Sequence, residues 1–164
     1  MSMEKVPRLS RMSREQLADI LLSENAHTVA VVDVRTHDHV GGHIQTSIHV
    51  PSTDLDHRIP ELVRKLSTME KVVFHCALSQ ERGPRAARRY LEERDRKVKN
   101  KDMMGQAGPP DIGIVDGEGQ KKLSEAKDQE VYVLDKGFVG WQEKYGHDLR
   151  LTEAYAPDIW SDYC

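Results

Sequence analysis

No apolar run in these 164 residues approaches the roughly 20 needed to cross a bilayer. Cysteine is scarce. Cys76 and Cys164 are the only two, too few for a disulfide framework and without the paired spacing of a structural zinc site. Neither sign of charge dominates either: 24 basic against 27 acidic side chains give a net charge of −3, which excludes a nucleic-acid binder relying on bulk positive charge. The opening MSMEKVPRLS has no apolar stretch behind its charges, so no secretory signal is expected. Internal repeats are missing as well. What remains is a chain of one domain's length, 38% hydrophobic and 31% charged, enough for a single core. These features predict a soluble, intracellular, monomeric protein with no nucleic-acid or membrane partner. Its compartment is the cytoplasm or the nucleus, although the basic run at 93–101 reads as a solvated face rather than an import signal.

The apolar pattern alternates between two kinds of segment. Residues 13–23 predict a helix, because Ser13 and Gln16 form a capping box and Leu17, Ile20 and Leu21 recur at helical spacing. The β-branched runs TVAVVDV (28–34), KVVFH (71–75) and VYVLD (131–135) lack that period and read as strands buried on both faces. A short strand at 48–50 is stopped by Pro51, and Gly41-Gly42 marks a turn. Helical stretches are expected at 54–66, in two pieces around Pro60, at 85–93, and after Phe138. This alternation argues for an α/β layered domain with a mainly parallel sheet. A stretch at about 95–130 breaks the rhythm, being rich in charge and glycine and free of aromatic residues, and is expected to be a polar surface insertion. The tail from His147 carries Tyr155, Ile159 and Trp160, and is expected to pack back onto the domain.

The stretch HCALSQERGPRAA at 75–87 carries chemistry. Cys76 ends an apolar strand, where open α/β sheets place their crevices. Five residues follow, Ala77, Leu78, Ser79, Gln80 and Glu81, and then Arg82. Gly83-Pro84 opens a helix, with proline suited to its first position. A loop of this kind can turn several backbone N–H groups inward, and with the positive end of the helix it forms a nest for a tetrahedral oxyanion. Arg82 would return over it as a planar fork for two of the oxygens. The same fields favour a thiolate at Cys76, the nucleophile. His75 alternates to the other face of the strand and reads as a buried residue that orders the loop. Asp33 and Arg35 read as a buried polar pair bracing the crevice. His37, His39 and His43 cluster near the Gly-Gly turn, yet His43 fits the GGHI stretch, the other two read as exposed, and no metal is expected.

VVDVRT at 31–36 with GGHI at 41–44, HCALSQERGPRAA, and VYVLDKGFVGWQ at 131–142 together resemble a rhodanese-like domain. The likeness is to the branch of cell-division-cycle dual-specificity phosphatases, or M-phase inducers, and to their small stand-alone fungal members. It implies one rhodanese-like domain over 1–164, with a central sheet of about five strands and helices on both faces. Ser79, Glu81, Arg82, Gly83 and Pro84 fit the phosphatase pattern, whereas Lys136 stands where the family commonly has a glycine. Sulfurtransferases of this fold typically carry a loop one residue shorter, sized for sulfur, so the ring here suits phosphate or arsenate.

The resemblance thus implies attack by Cys76 on a phosphate monoester of a phosphorylated protein, held by Arg82 and the amides of residues 77–82. Ser79 is expected to assist departure of the sulfur, and Glu81 is the loop's candidate general acid. No cofactor is expected. The alternative, implied by related eukaryotic arsenate reductases, is arsenate reduction in the same loop with glutathione and glutaredoxin as reductant. Cys164 could then act as a resolving thiol only if the tail folds over the crevice. A sulfurtransferase is the lesser alternative.

Overall fold

The β-branched runs that lack a helical period form the centre of the molecule. The computed structural model describes residues 9–106 and 129–160. Within it β2 (Val29–Asp33), β5 (Lys71–His75) and β6 (Glu130–Leu134) are the inner strands of a five-stranded sheet. Its edges are β1 (Ser10–Met12) beside β6 and β4 (Ile48–His49) beside β2, and every pairing is parallel. β3 (His43–Ile44) pairs antiparallel with β7 (Thr152–Glu153) in a separate small ribbon. β1 is absent from the sequence expectation, because three residues with two exposed side chains carry no alternation to read. It exists through its register with Tyr132, Val133 and Leu134.

Side chains alternate across a strand, so each inner strand feeds two cores. Ala30, Val32, Val72, Phe74, Val131 and Val133 face one layer, with α2 (Leu55–Lys65) and α3 (Arg82–Gln106). Val29, Val31, Val73 and Leu134 face the other, with α1 (Arg14–Leu21), α4 (Gly137–Tyr145) and Trp160 of α5 (Pro157–Trp160). The result is an α/β sandwich with helices on both faces of a parallel sheet, the architecture that the resemblance implies. Ser13 and Gln16 close the capping box of α1 in both directions. A 3-10 turn, Glu24–Thr28, then leads directly into β2.

Three boundaries differ from the sequence expectation. α2 is continuous through Pro60 rather than split. Proline removes one helical donor, but Leu55, Ile59, Leu62 and Val63 share one buried face and hold both halves on the sheet. Lys97 of α3 also donates to the Pro60 carbonyl. α3 begins at Arg82, so Pro84 is its third residue and not its first. Its missing N–H still costs nothing, because the first four helical amides have no intrahelical acceptor. The Arg85 N–H donates to the Glu81 carbonyl at 3.0 Å and starts the ladder.

α3 also continues to Gln106, into the stretch expected as a surface insertion. The far end of that stretch is core: Gln129 is 7% exposed, and its side chain donates to the carbonyls of Leu66 (2.7 Å) and Met69 (2.9 Å) while accepting from the Tyr90 hydroxyl (2.9 Å). Residues 107–128 of the expected insertion, and Cys164, lie outside the described residues. The tail does return to the domain, where Trp160 donates its ring N–H to the Gly41 carbonyl at 2.9 Å and packs against Phe138. No helix among the described residues is long and apolar enough to cross a membrane.

Gln129→Leu should leave the Met69 carbonyl and the Tyr90 hydroxyl without these partners, while the Leu66 carbonyl keeps only the Met69 N–H. The expected cost is about 2–4 kcal/mol, read as a lower urea midpoint with an unchanged slope.

Candidate active site

β2 and β5 finish in step, with Asp33 opposite His75, so their following loops emerge at one edge of the sheet. The loop after β5 runs from Cys76 to Glu81 and enters α3 at Arg82. Three of its carbonyls are tied outward. The amides of Phe138 and Val139, at the start of α4, donate to the carbonyls of Cys76 (3.0 Å) and Ala77 (2.9 Å). Arg11 of β1 donates to the carbonyl of Ser79 at 3.1 Å. A trans peptide points its N–H opposite its C=O, so the amides of Ala77, Leu78 and Gln80 are turned away from those anchors. The amide between them, that of Ser79, donates to the Cys76 sulfur at 3.2 Å.

This arrangement demands unusual backbone. Ser79 lies at φ +56°, and Lys136 and Gly137 stand in the left-handed region at the start of α4. A Cβ on Gly137 would sit 2.4 Å from the Ala77 carbonyl oxygen, so only glycine lets the helix reach the loop. Lys136, standing where the family resemblance expects glycine, adopts the φ of +66° that favours glycine.

Only two loop side chains turn inward. Cys76 is 3% exposed and Ser79 fully buried, whereas Leu78, Gln80 and Glu81 are exposed. The Ser79 hydroxyl has no partner among the described residues. Glu81 is therefore placed at the rim, away from the buried sulfur side of the loop.

Beneath the loop, Asp33 and Arg35 form a wholly buried pair. Both Asp33 oxygens accept from the Arg35 guanidinium, at 2.7 to 3.0 Å, and one also accepts its backbone N–H. Arg35 in turn donates to the Gly42 carbonyl at 2.9 Å and lies 4.3 Å over the Phe138 ring. Burial by itself would raise the Asp33 carboxyl; the neighbouring His75 and Arg35 outweigh it and hold it at about 2. His75 shares a hydrogen bond between its Nδ1 and the Cys76 carbonyl, and full burial pushes its ring below the ordinary histidine range. His39, expected on an exposed loop, is half-buried: it lies 3.3 Å from Asp33 and stacks on His49. Desolvation lowers it too. Among the described residues no group of three or more His, Cys, Asp and Glu side chains is arranged to hold a metal ion.

One residue that sequence reasoning passed over enters the crevice. Asp38, in the turn after β2, takes both terminal nitrogens of Arg82, at 2.8 and 2.5 Å. The hydrogen bonds from Arg82 hold its carboxyl far below the usual range, and the same contact raises the guanidinium, with Cys76 adding to it. The fork expected to stand open over the loop is thus occupied by a side chain. Arg11, whose strand was itself unreadable, is the other missed residue. A signal for Asp38 existed in principle, since a cation built to hold an anion needs a counter-charge when none is bound.

With this geometry in view, the likenesses to known proteins are specific. A family model described as a rhodanese-like domain matches residues 13–144. Over 141 residues the chain is 34% identical to the CDC25-like phosphatase YCH1 of Saccharomyces cerevisiae, covering 79% of this chain and 76% of that one. It is 30% identical over 135 residues to arsenate reductase 2.2 of Oryza sativa subsp. japonica, covering 82% of both. It is also similar to the solved structure of Ygr203w, described as a yeast protein tyrosine phosphatase of the rhodanese family. That likeness has a TM-score of 0.64 and 27% identity, and covers 93% of this chain and 96% of that one. The chain belongs to the rhodanese-like family. Its relatives place it among the cysteine-based phosphatases and arsenate reductases of that family, and so among enzymes.

Two outcomes follow from the bracing. The folded-state pKa of Asp33 lies below its ordinary value of 3.8, so its share of stability is present above about pH 4 and lost as the pH falls toward 2. Asp33→Asn should remove that acid-dependent share and, by leaving Arg35 buried and unpaired, cost about 3–5 kcal/mol at neutral pH. Denaturant titrations at a series of pH values check both. Gly137→Ala should displace the loop from α4 and lower the melting temperature by several degrees, as a loss of about 1–3 kcal/mol would.

Proposed function

We propose that the protein is a phosphatase that hydrolyses phosphate monoesters of phosphorylated proteins, of the phosphotyrosine or dual-specificity class. One observation carries this reading: carbonyls of the five-residue loop are anchored outward, leaving its amides to face an anion beside a buried cysteine and an arginine. The likeness to the phosphatase relatives supports the substrate class.

In this reading the Cys76 thiolate attacks phosphorus, forming an S–P bond as the ester P–O bond breaks and the leaving oxygen takes a proton. The loop amides and Arg82 stabilise charge on the equatorial oxygens. Water then attacks phosphorus, the S–P bond breaks, and inorganic phosphate leaves with the thiolate regenerated. Ser79 is the donor that eases that second departure; its unpartnered buried hydroxyl and its amide at the sulfur support the role. Glu81, exposed at the rim, is the loop carboxylate proposed to protonate the leaving oxygen. Asp33, Arg35 and His75 position the loop from below and take no part in proton transfer. No cofactor is required.

The likeness to arsenate reductase 2.2 supports a second reading on the same loop. There Cys76 attacks arsenic, and two external thiols, of the glutathione and glutaredoxin kind, supply the two electrons that take arsenate to arsenite.

Hydrolysis of a small aryl phosphate by wild type and by Cys76→Ser, with and without arsenate, tests the first reading. Turnover should vanish in the variant, and arsenate should inhibit the wild type competitively. A wild type without turnover would overturn the phosphatase reading, and thiol-dependent arsenate reduction would then decide the second. Ser79→Ala should slow breakdown of the phosphoenzyme more than its formation. The checks are a burst of aryl alcohol ahead of a steady state slowed by about tenfold to a hundredfold.

A further inference from the structure

The contact between Asp38 and Arg82 is where an ion pair and an oxyanion site compete for the same atoms. We propose that Asp38 is a displaceable occupant of the crevice: its carboxylate fills the Arg82 fork when no ligand is bound, and an arriving oxyanion takes its place. The proposal rests on the reading that this loop binds tetrahedral oxyanions.

The geometry is that of substitution. Asp38 engages both terminal guanidinium nitrogens with its two oxygens, the fork-to-fork bite that two oxygens of a tetrahedral oxyanion would also make. Charge argues the same way. Arg82 is held by the Asp38 carboxylate and also feels the Cys76 sulfur, and in the proposed reading, with Cys76 as the thiolate, two anions share one cation. A dianion entering that group adds repulsion against both, and one must yield. Cys76 cannot, being buried at the end of β5 with its carbonyl pinned by α4. Asp38 can. Its side chain keeps 32% of its accessible surface, and among the described residues it is held, besides Arg82, only within its own turn, by the Thr36 amide (3.0 Å) and hydroxyl (3.5 Å). Swinging out costs one half-buried ion pair and leaves the cradle amides untouched.

The rival arrangement keeps Asp38 in place as a brace that orients Arg82, with the oxyanion on the other edge of the guanidinium. The two arrangements predict opposite signs. If Asp38 is displaced, removing it removes a competitor and tightens binding; if it braces, removing it loosens the arginine and weakens binding.

The test is tungstate binding by titration calorimetry to the full-length chain carrying Cys76→Ser, which prevents covalent chemistry. Into that chain Asp38→Asn, Asp38→Ser and Arg82→Ala are introduced separately, each checked for an intact thermal transition. The expected result is binding tightened on the order of tenfold by both Asp38 variants, and lost with Arg82→Ala. Tungstate binding that is unchanged or weaker in both Asp38 variants, while still dependent on Arg82, overturns the displacement and leaves the oxyanion reading standing. Binding absent from every protein, or indifferent to Arg82→Ala, overturns the oxyanion reading and the displacement with it.

Discussion

The candidate site depends on where three carbonyl groups of one short loop point. A peptide unit is rigid and has two opposed ends, so anchoring an oxygen outward aims the neighbouring N–H the other way. Here the anchors come from opposite ends of the chain. α4 supplies two amides to the carbonyls of Cys76 and Ala77, and β1 supplies Arg11 to that of Ser79. The cost falls on the backbone at both sides of the contact, with Ser79 of the loop in the left-handed region and Gly137 of α4 obliged to lack a side chain.

The layer below has a complementary task. Asp33 and Arg35 are wholly buried charges, a placement that is tolerable only with near-complete pairing. They achieve it with each other, with the Gly42 carbonyl and with the Phe138 ring. That network joins the end of β2 to the Gly-Gly turn and to α4, the same helix that holds the loop. His75 links it upward to Cys76. Bracing from beneath and anchoring from behind thus converge on one helix start, which is why the departure at Lys136 matters: the position keeps a left-handed backbone even without glycine.

Much of the fold could be read from the chain, and the reasons are local. Val29–Asp33, Lys71–His75 and Glu130–Leu134 are short, β-branched and apolar, and such runs bury both faces whatever surrounds them. The capping box at Ser13 needs only neighbours. Where packing overrode local preference the reading went astray, as at Pro60, where four buried side chains keep α2 whole. β1 escaped notice because its partner lies more than a hundred residues away. Gln129 looked like part of a polar insertion because its worth lies in three distant partners, Leu66, Met69 and Tyr90.

By itself the sequence determined the order of the elements and the contents of the loop: a cysteine at a strand end, five residues, then an arginine opening a helix. Those are properties of consecutive residues, and spacing alone limits what such a loop can enclose. Only the tertiary structure decided which way the loop's peptides face, and that Asp38 stands in the arginine's fork. Both depend on groups brought together from separate segments, Arg11, Asp38, Phe138 and Val139, and hydrogen bonds and ion pairs of that range leave no periodicity in a chain for a reader to find.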